Sequence, residues 1–357
     1  MKKSLMAVAL LGGFASVAQA QTAVQIYGNI DAGLLKQTDK TLQIGKRASN
    51  TLGFKGTEDL GNGLTALFQI EMRYEPDTGT VENNARPLFQ GQSRVGLSGD
   101  FGMVRFGRGL TPYQETIGSF EPWHGLPTSL GFYTDISTSA FNSAPLDTGG
   151  SGANNNRISN AVFYNSPVVS GFQVNASWAT KEAISGGNAV VGIARPGTTV
   201  ASYASGAEAS ANPFSVAATY NNGPAAAMLG YERNAIETKV WSGAGSFAVT
   251  PELKLMATYS HKNEDHTNTL RPVTRSWLVG ATYAVGPGKV LAGYGQKHIE
   301  EAAKTKQLSL GYEYSLSKRT YLYVDASRKK DIVNVATGNL AATPTVNAYD
   351  VGVNHSF

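Results

Sequence analysis

The sequence predicts an all-β fold: a sixteen-stranded antiparallel transmembrane β-barrel with an inward-folded third loop. Three observations predict it. Short runs alternate apolar and polar residues along almost the whole chain, so each run has an oily side and a wet side. The connections between runs alternate tight turns with long polar segments. One stretch, residues 109–156, breaks the alternation and carries carboxylates, while arginines crowd both of its ends.

Residues 1–20 read as a secretory signal. Lys2 and Lys3 form a positive start, Leu5 to Val17 a short apolar run, and Ala18-Gln19-Ala20 a small-x-small cleavage site. Residues 21–357 are then the exported barrel. Loss of Lys2 and Lys3 takes the 30 basic residues to 28 against 26 acidic ones, a formal charge of +2. That balance gives no reason to expect nucleic acid as a partner. No apolar run after Ala20 is long enough for a membrane-crossing helix. There is no cysteine, so stability must come from the fold and not from disulfides.

The alternating runs centre on 24–35, 50–58, 64–75, 90–99, 102–108, 157–166, 171–181, 213–221, 225–234, 238–249, 253–263, 274–285, 288–299, 305–315, 319–329 and 347–357. In the first, Val24, Ile26, Gly28, Ile30, Ala32 and Leu34 share one side, opposite Gln25, Tyr27, Asn29 and Asp31. In the third, Leu64, Ala66, Phe68, Ile70, Met72 and Tyr74 oppose Gln69, Glu71 and Arg73. Tight turns such as Asp59-Leu60-Gly61-Asn62-Gly63, Gly99-Asp100-Phe101-Gly102, Asn221-Asn222-Gly223-Pro224 and Gly286-Pro287-Gly288 contain the residues hairpins need. Longer segments, 183–212 and 330–346, lie between them. Spread over sixteen strands, residues 21–357 allow roughly 21 residues each, room for ~10-residue spans. A soluble sandwich would need an oily side that fills a core. Here the wet side repeats glutamine, arginine, glutamate and glycine, as a water-filled interior requires. Tyr74, Phe163, Tyr164, Phe172, Trp178, Tyr259, Trp277, Tyr349 and Phe357 sit near run ends, where interfacial girdles belong.

Residues 109–156 contain no lysine or arginine and four carboxylates, Glu115, Glu121, Asp135 and Asp147. Phe120, Trp123, Phe132, Tyr133 and Phe141 argue against plain disorder, because they need a surface to pack on. A long insertion of this kind in a compact domain is typically functional. The expectation is an acidic constriction loop folded into the lumen against a basic wall. Strand parity supplies wall candidates: Val95 and Leu97 outward put Arg94 inward, Met72 and Tyr74 put Arg73 inward, and Val104 and Phe106 put Arg105 inward. Strict alternation would leave Arg108 outward, but the glycines on either side permit a break there.

The final run places Tyr349, Val351, Val353, His355 and Phe357 on one side, suited to pairing with the first strand so that no edge meets lipid. At this point the chain resembles the trimeric general porins of Gram-negative bacteria, and within them the β-proteobacterial branch. The matching pieces are Val24-Gln-Ile-Tyr-Gly28, Leu52-Gly-Phe-Lys-Gly56 with Glu58-Asp-Leu-Gly-Asn-Gly63, Arg94-Val-Gly-Leu-Ser-Gly99, Phe106-Gly-Arg-Gly109 and Arg157-Ile-Ser-Asn-Ala-Val-Phe-Tyr-Asn-Ser-Pro167. The resemblance covers essentially all of residues 21–357. It implies a homotrimer in the outer membrane, in contact with lipid and lipopolysaccharide, with Phe357 read by the assembly machinery. It also implies a third loop whose carboxylates face wall arginines. Arg108 and Arg157 match two constriction arginines, and Glu115 and Glu121 match loop carboxylates; Asp135 is a third candidate, and Asp147 reads as a polar loop residue. Two departures stand out. Thr51 occupies a position where enterobacterial relatives place a wall arginine, leaving Arg47, Arg73 or Arg94 to supply that charge. The loop reads Phe120-Glu-Pro-Trp-His-Gly125 where those relatives read Pro-Glu-Phe-Gly-Gly.

The implied function is passive diffusion of ions and small hydrophilic solutes, without cofactor or metal, and the basic strand residues together with the resemblance favour anions. The alternative is a substrate-specific channel for a sugar or organic anion. Its aromatic track would draw on Tyr113, Trp123 and Tyr133, which fall in one loop instead of a line down several strands. An enzyme is not expected. The histidines, His124, His261, His266, His298 and His355, are scattered, with only His261 and His266 near one another in a charged stretch. No nucleophile or nucleotide-binding motif occurs.

Overall fold

The computed structural model describes residues 23–82, 87–133, 135–138, 140, 156–180, 211–235, 237–264, 273–330 and 344–357. The expected leader, Phe141, Asp147 and His266 lie outside these residues. The described chain forms one antiparallel sheet closed on itself. Its strands are β1 (Ala23–Gln37), β2 (Gln43–Gly45), β3 (Asn50–Gly61), β4 (Leu64–Tyr74), β5 (Gln92–Gly99), β6 (Gly102–Leu110), β7 (Arg157–Asn165), β8 (Phe172–Ala179), β9 (Phe214–Asn222), β10 (Ala225–Arg233), β11 (Lys239–Ala248), β12 (Leu253–Asn263), β13 (Val273–Val285), β14 (Gly288–Ile299), β15 (Lys304–Ser315), β16 (Thr320–Lys330) and β17 (Val346–Ser356). Each of the sixteen expected runs is a strand; β2 is an addition.

Closure runs through β1 and β17, paired from Asn29 opposite Ser356 to Gln37 opposite Ala348. Gly28 and Phe357 extend the ladder with backbone hydrogen bonds of 3.2 and 3.1 Å. On its other side β1 pairs with β3 over Ala23–Asn29 and with β2 over Gly33–Leu35. β2 and β3 therefore share one place in the wall, interrupted at residues 46–49. Side chains replace the ladder at the interruption: the Arg47 amide donates to Asp31 Oδ1 at 2.7 Å, and the Asp31 amide donates to Asn50 Oδ1. The barrel thus has sixteen strand positions.

The two faces are chemically inverted relative to a soluble protein. Val24, Phe172, Leu229, Leu308 and Val351 are exposed on the outside, Leu229 to 70%. The inner face buries Ser242, Ser276, Gln307, Ser309 and Asn354. An apolar exterior around a polar interior suits a wall with lipid outside and water inside. Tyr164, Phe172, Trp178, Tyr259, Trp277 and Tyr349 are exposed on the outer face as expected. Phe163 is not. It is 1% exposed and lies beneath the guanidinium groups of Arg94 and Arg105, 5.3 and 5.9 Å from its ring centroid. Consecutive strand residues point to opposite faces, so Phe163 and Tyr164 cannot both join a girdle. His261, expected in a charged loop, lies within β12 and stacks on Trp241 with ring centroids 5.7 Å apart.

Candidate pore constriction

The segment after β6 begins with a helix that the sequence reading did not anticipate. In α1 (Pro112–Ile117) the Thr111 side chain accepts from the Gln114 amide at 3.3 Å, Pro112 opens the first turn, and Glu115 complements its positive end. A single 3-10 turn, Gly118–Phe120, follows.

Its partners lie on the barrel's inner face. The Tyr113 hydroxyl is 2.5 Å from Ser242 Oγ and 3.3 Å from Ser260 Oγ, and it donates to the Thr138 carbonyl at 2.9 Å. Burial pushes this phenol's pKa up. Tyr113 and Phe120 pack with Ile158, Phe163, Met228 and Val240 in one apolar cluster. Trp123, Phe132 and Ile136 pack with Leu278 and Leu291 in a second. Gly293 is required for this approach, since a Cβ there would stand 2.6 Å from the Phe132 ring. Farther along, the Gln307 side-chain amide donates to the carbonyls of Leu130 and Gly131. Glu232 holds both ends of the segment: Thr111 Oγ1 donates to one carboxylate oxygen at 2.9 Å and the Ala140 amide to the other at 2.7 Å. Tyr113 and Trp123 are buried and cannot form an aromatic track for a sugar.

The candidate carboxylates have three different environments. Glu115 meets two arginines, with Arg94 Nη1 at 3.0 Å and Arg105 Nη2 at 3.9 Å. Glu121 has no ion-pair partner among the described residues, although the Arg47 charge acts on it. It is 3% exposed and accepts from the backbone amides of Trp123 and Gly125, so it braces its own turn. Burial pushes its pKa up to about 7 against those two donors. Asp135 pairs with Lys329 of β16.

The candidate arginines also divide. Arg94 and Arg105 are buried on the inner face around Phe163 and Glu115, and Arg105 also donates to Asn165 Oδ1 at 2.7 Å. Arg108 is buried too, because the β6–β7 register shifts between Gly107 and Gly109. Gly107 sits at φ 127°, and this bulge reverses the parity of the next residue. Arg108 then donates to the Gln90 carbonyl at 3.1 Å and to Ser159 Oγ, which fixes it in the wall. Arg73, 3.8 Å from Glu82, and Arg157, which donates to the Gly91 carbonyl at 2.7 Å, border open space. Arg47 turns inward at the strand interruption but is neutralised by Glu313 at 2.7 Å and Asp325 at 2.8 Å over the Tyr323 ring.

That open space is a cavity of about 690 Å³. The segment forms part of its lining through Glu115, Ser119, His124 and Tyr133, with Arg73, Arg157 and Lys46 also bordering it. Burial, and Lys289 after it, hold the His124 imidazole below its ordinary pKa. Lys46 bridges Glu75 at 2.6 Å and Glu82 at 2.8 Å. Each lining carboxylate is therefore engaged, whereas Arg157 has no ion-pair partner among the described residues; it donates to a carbonyl, and the charges of Tyr133 and Glu71 act on it. Among the described residues no group of three or more histidines and carboxylates could hold a metal. Sequence reasoning missed Glu232 and Lys46. For Glu232 a signal existed, since it shares strand parity with Met228 and Gly230 and not with the lipid-facing Leu229.

A family model for Gram-negative porins matches residues 7–331. The chain is 30% identical over 390 residues to outer membrane porin protein 32 of Delftia acidovorans, covering the whole of both chains. It is 28% identical over 412 residues to an outer membrane porin protein of Bordetella pertussis, again over both full lengths. An anion-selective porin from Comamonas acidovorans has a similar structure, with a TM-score of 0.70 at 24% identity over 94% of this chain and 100% of that one. OmpT, an outer membrane protein of Vibrio cholerae, gives 0.62 at 15% identity over 95% and 100%. At these identities the structural likenesses carry the fold.

Proposed function

The chain belongs to the Gram-negative porin family, and we propose that residues 112–138 narrow its water-filled lumen so that anions pass more readily than cations. The protein is an outer-membrane diffusion channel, passive and general for ions and small hydrophilic solutes. Its family consists of channels, not enzymes. One observation carries the constriction: Tyr113, on the segment, reaches Ser242 and Ser260 on the inner faces of β11 and β12.

The sign of selectivity follows from which charges are already satisfied. Glu75 and Glu82 are engaged by Lys46, Glu115 by Arg94 and Arg105, and Glu121 by amides and burial. Arg157 has no ion-pair partner among the described residues, only the charges of Glu71 and Tyr133 acting on it, and two arginines share Glu115. Screening is incomplete in a narrow pore, so such an excess acts on passing ions. Arg73 and Arg157 are the basic residues that act directly; Arg94, Arg105 and Arg108 hold the wall, and Glu115 sets the field. Glu121 and Asp135 brace the segment.

A homotrimer, contact with lipopolysaccharide, recognition through Phe357 and removal of residues 1–20 on export complete the reading. The exposed apolar outer face supports a lipid and subunit boundary. A planar-bilayer recording in a salt gradient tests the proposal. Ohmic steps with a reversal potential of anion sign are expected. Currents blocked by one sugar would instead indicate a substrate-specific channel, and a reversal potential of cation sign would overturn the charge assignment.

A further inference from the structure

Three lysines stand on alternate strands of the inner face, away from the arginine wall. Lys262 on β12 shares parity with Ser260, whose hydroxyl approaches Tyr113. Lys297 on β14 shares parity with Gly293 and Gly295, over which Phe132 packs. Lys329 on β16 shares parity with Ser327, which donates to the Ser129 carbonyl. The strands between them contribute hydroxyls: Thr274 lies opposite Lys262, and Ser276 and Thr305 flank Lys297. All three lysines fall within the last three residues of their strands, at the end of the barrel where the long loops lie.

Their charges are unequally matched. Lys262 pairs with Glu264 at 2.8 Å, and Lys329 with Asp135 of the segment. Lys297 has no ion-pair or hydrogen-bond partner among the described residues. It is half-buried, and the charges that act on it are those of Asp135, Lys262 and Lys329. Among the described residues, three ammonium groups thus share two paired carboxylates, Glu264 and Asp135. An ammonium left without an ion-pair partner beside two others is costly unless an anion joins it.

The geometry points to an oxyanion-binding station formed by Lys297 and Lys329, with Lys262 as a third positive charge, at the long-loop mouth of the channel. A small inorganic oxyanion or carboxylate accepts hydrogen bonds from Lys297 and competes with Asp135 for Lys329. Asp135 then has a second role: it returns to Lys329 when the anion leaves, which keeps occupancy brief and lets the ion proceed towards the arginine wall. Binding strong enough to enter and weak enough to leave is what conduction requires. The inference rests on the reading above that the inner face borders water.

The test uses the full-length exported chain in planar bilayers, with chloride current measured as sulfate or succinate is added. Chloride current is expected to fall and then level off as the station fills. Lys297→Gln should raise the half-saturating concentration about threefold, the range of a partly solvated charge pair. Lys297→Arg should restore it, which a merely structural role for Lys297 would not do. Saturation by sulfate alone identifies an inorganic oxyanion, by succinate alone a carboxylate, and either supports the station. Ohmic chloride steps without saturation by either anion, or saturation unchanged in Lys297→Gln, overturn it while leaving the channel intact. Absence of ohmic steps would instead overturn the underlying diffusion-channel reading.

Discussion

Arg94 Nη1 lies 3.0 Å from Glu115 Oε1, so the wall of β5 is tied directly to the first helical turn of the segment beyond β6. Arg94 also reaches Gln69 Oε1 at 3.2 Å and covers the Phe163 ring. The pair neutralises one of two arginines that share this carboxylate.

Glu115→Gln removes that carboxylate charge and leaves Arg94 and Arg105 uncompensated. The reversal potential in a salt gradient should move further towards anions. Because Glu115 is partly exposed, the stability cost should be only about 1 kcal/mol, measured as a small fall in the thermal midpoint.

Arg157→Gln should shift preference towards cations more than Arg108→Gln does. Arg157 borders the cavity, whereas Arg108 is committed to Gln90 and Ser159. Reversal potentials for the two variants check the ranking, and equal shifts would mean that Arg108 also acts on the lumen.

The sequence made this ranking only half legible. Alternation located the sixteen strand positions and put Arg94, Arg105 and Arg73 on the inner side, because period-two patterning is enforced wherever one face meets lipid. The glycines around Arg108 marked a possible parity break, and the bulge at Gly107 is that break. What alternation cannot encode is the partner across the lumen. Glu121 and Glu115 look alike in sequence, yet one binds its own turn and the other an arginine pair. The interruption at residues 46–49 was equally hidden, since it depends on Asp31 and Asn50 replacing a backbone ladder far along the chain.

Gly107→Ala should destabilise the barrel by roughly 2 kcal/mol or more. The position has φ 127°, and an added Cβ would fall 2.1 Å from the Ser93 carbonyl oxygen. A lowered thermal midpoint, with Arg94→Lys as a neighbouring control of smaller effect, checks this.

Tyr113→Phe removes a buried hydroxyl that joins Thr138, Ser242 and Ser260. A loss of about 1–3 kcal/mol is expected, because the partner groups stay buried. Single-channel records should also show more current noise as the segment loosens.

Glu121 sets a pH dependence. Its pKa is about 7 in the folded chain, above the ordinary carboxylate value of 4.5. The folded state therefore holds a proton that the unfolded state has released, and stability declines as pH rises from about 4.5 to about 7. Glu121→Gln should abolish that slope in thermal melts across the same window. A wild-type midpoint that rises with pH there, through a Glu121-dependent contribution, would contradict the assignment.

The central claim is that water fills the barrel and that residues 112–138 narrow it. The chain has no cysteine, and Ser119 is exposed on the segment and lines the cavity. Ser119→Cys, reconstituted in a bilayer and treated with a bulky water-soluble thiol reagent, tests the claim most directly. A stepwise fall in single-channel current on modification is the predicted result, with no change for Ser317→Cys in a tight turn. Complete modification of Ser119→Cys with undiminished current would contradict it.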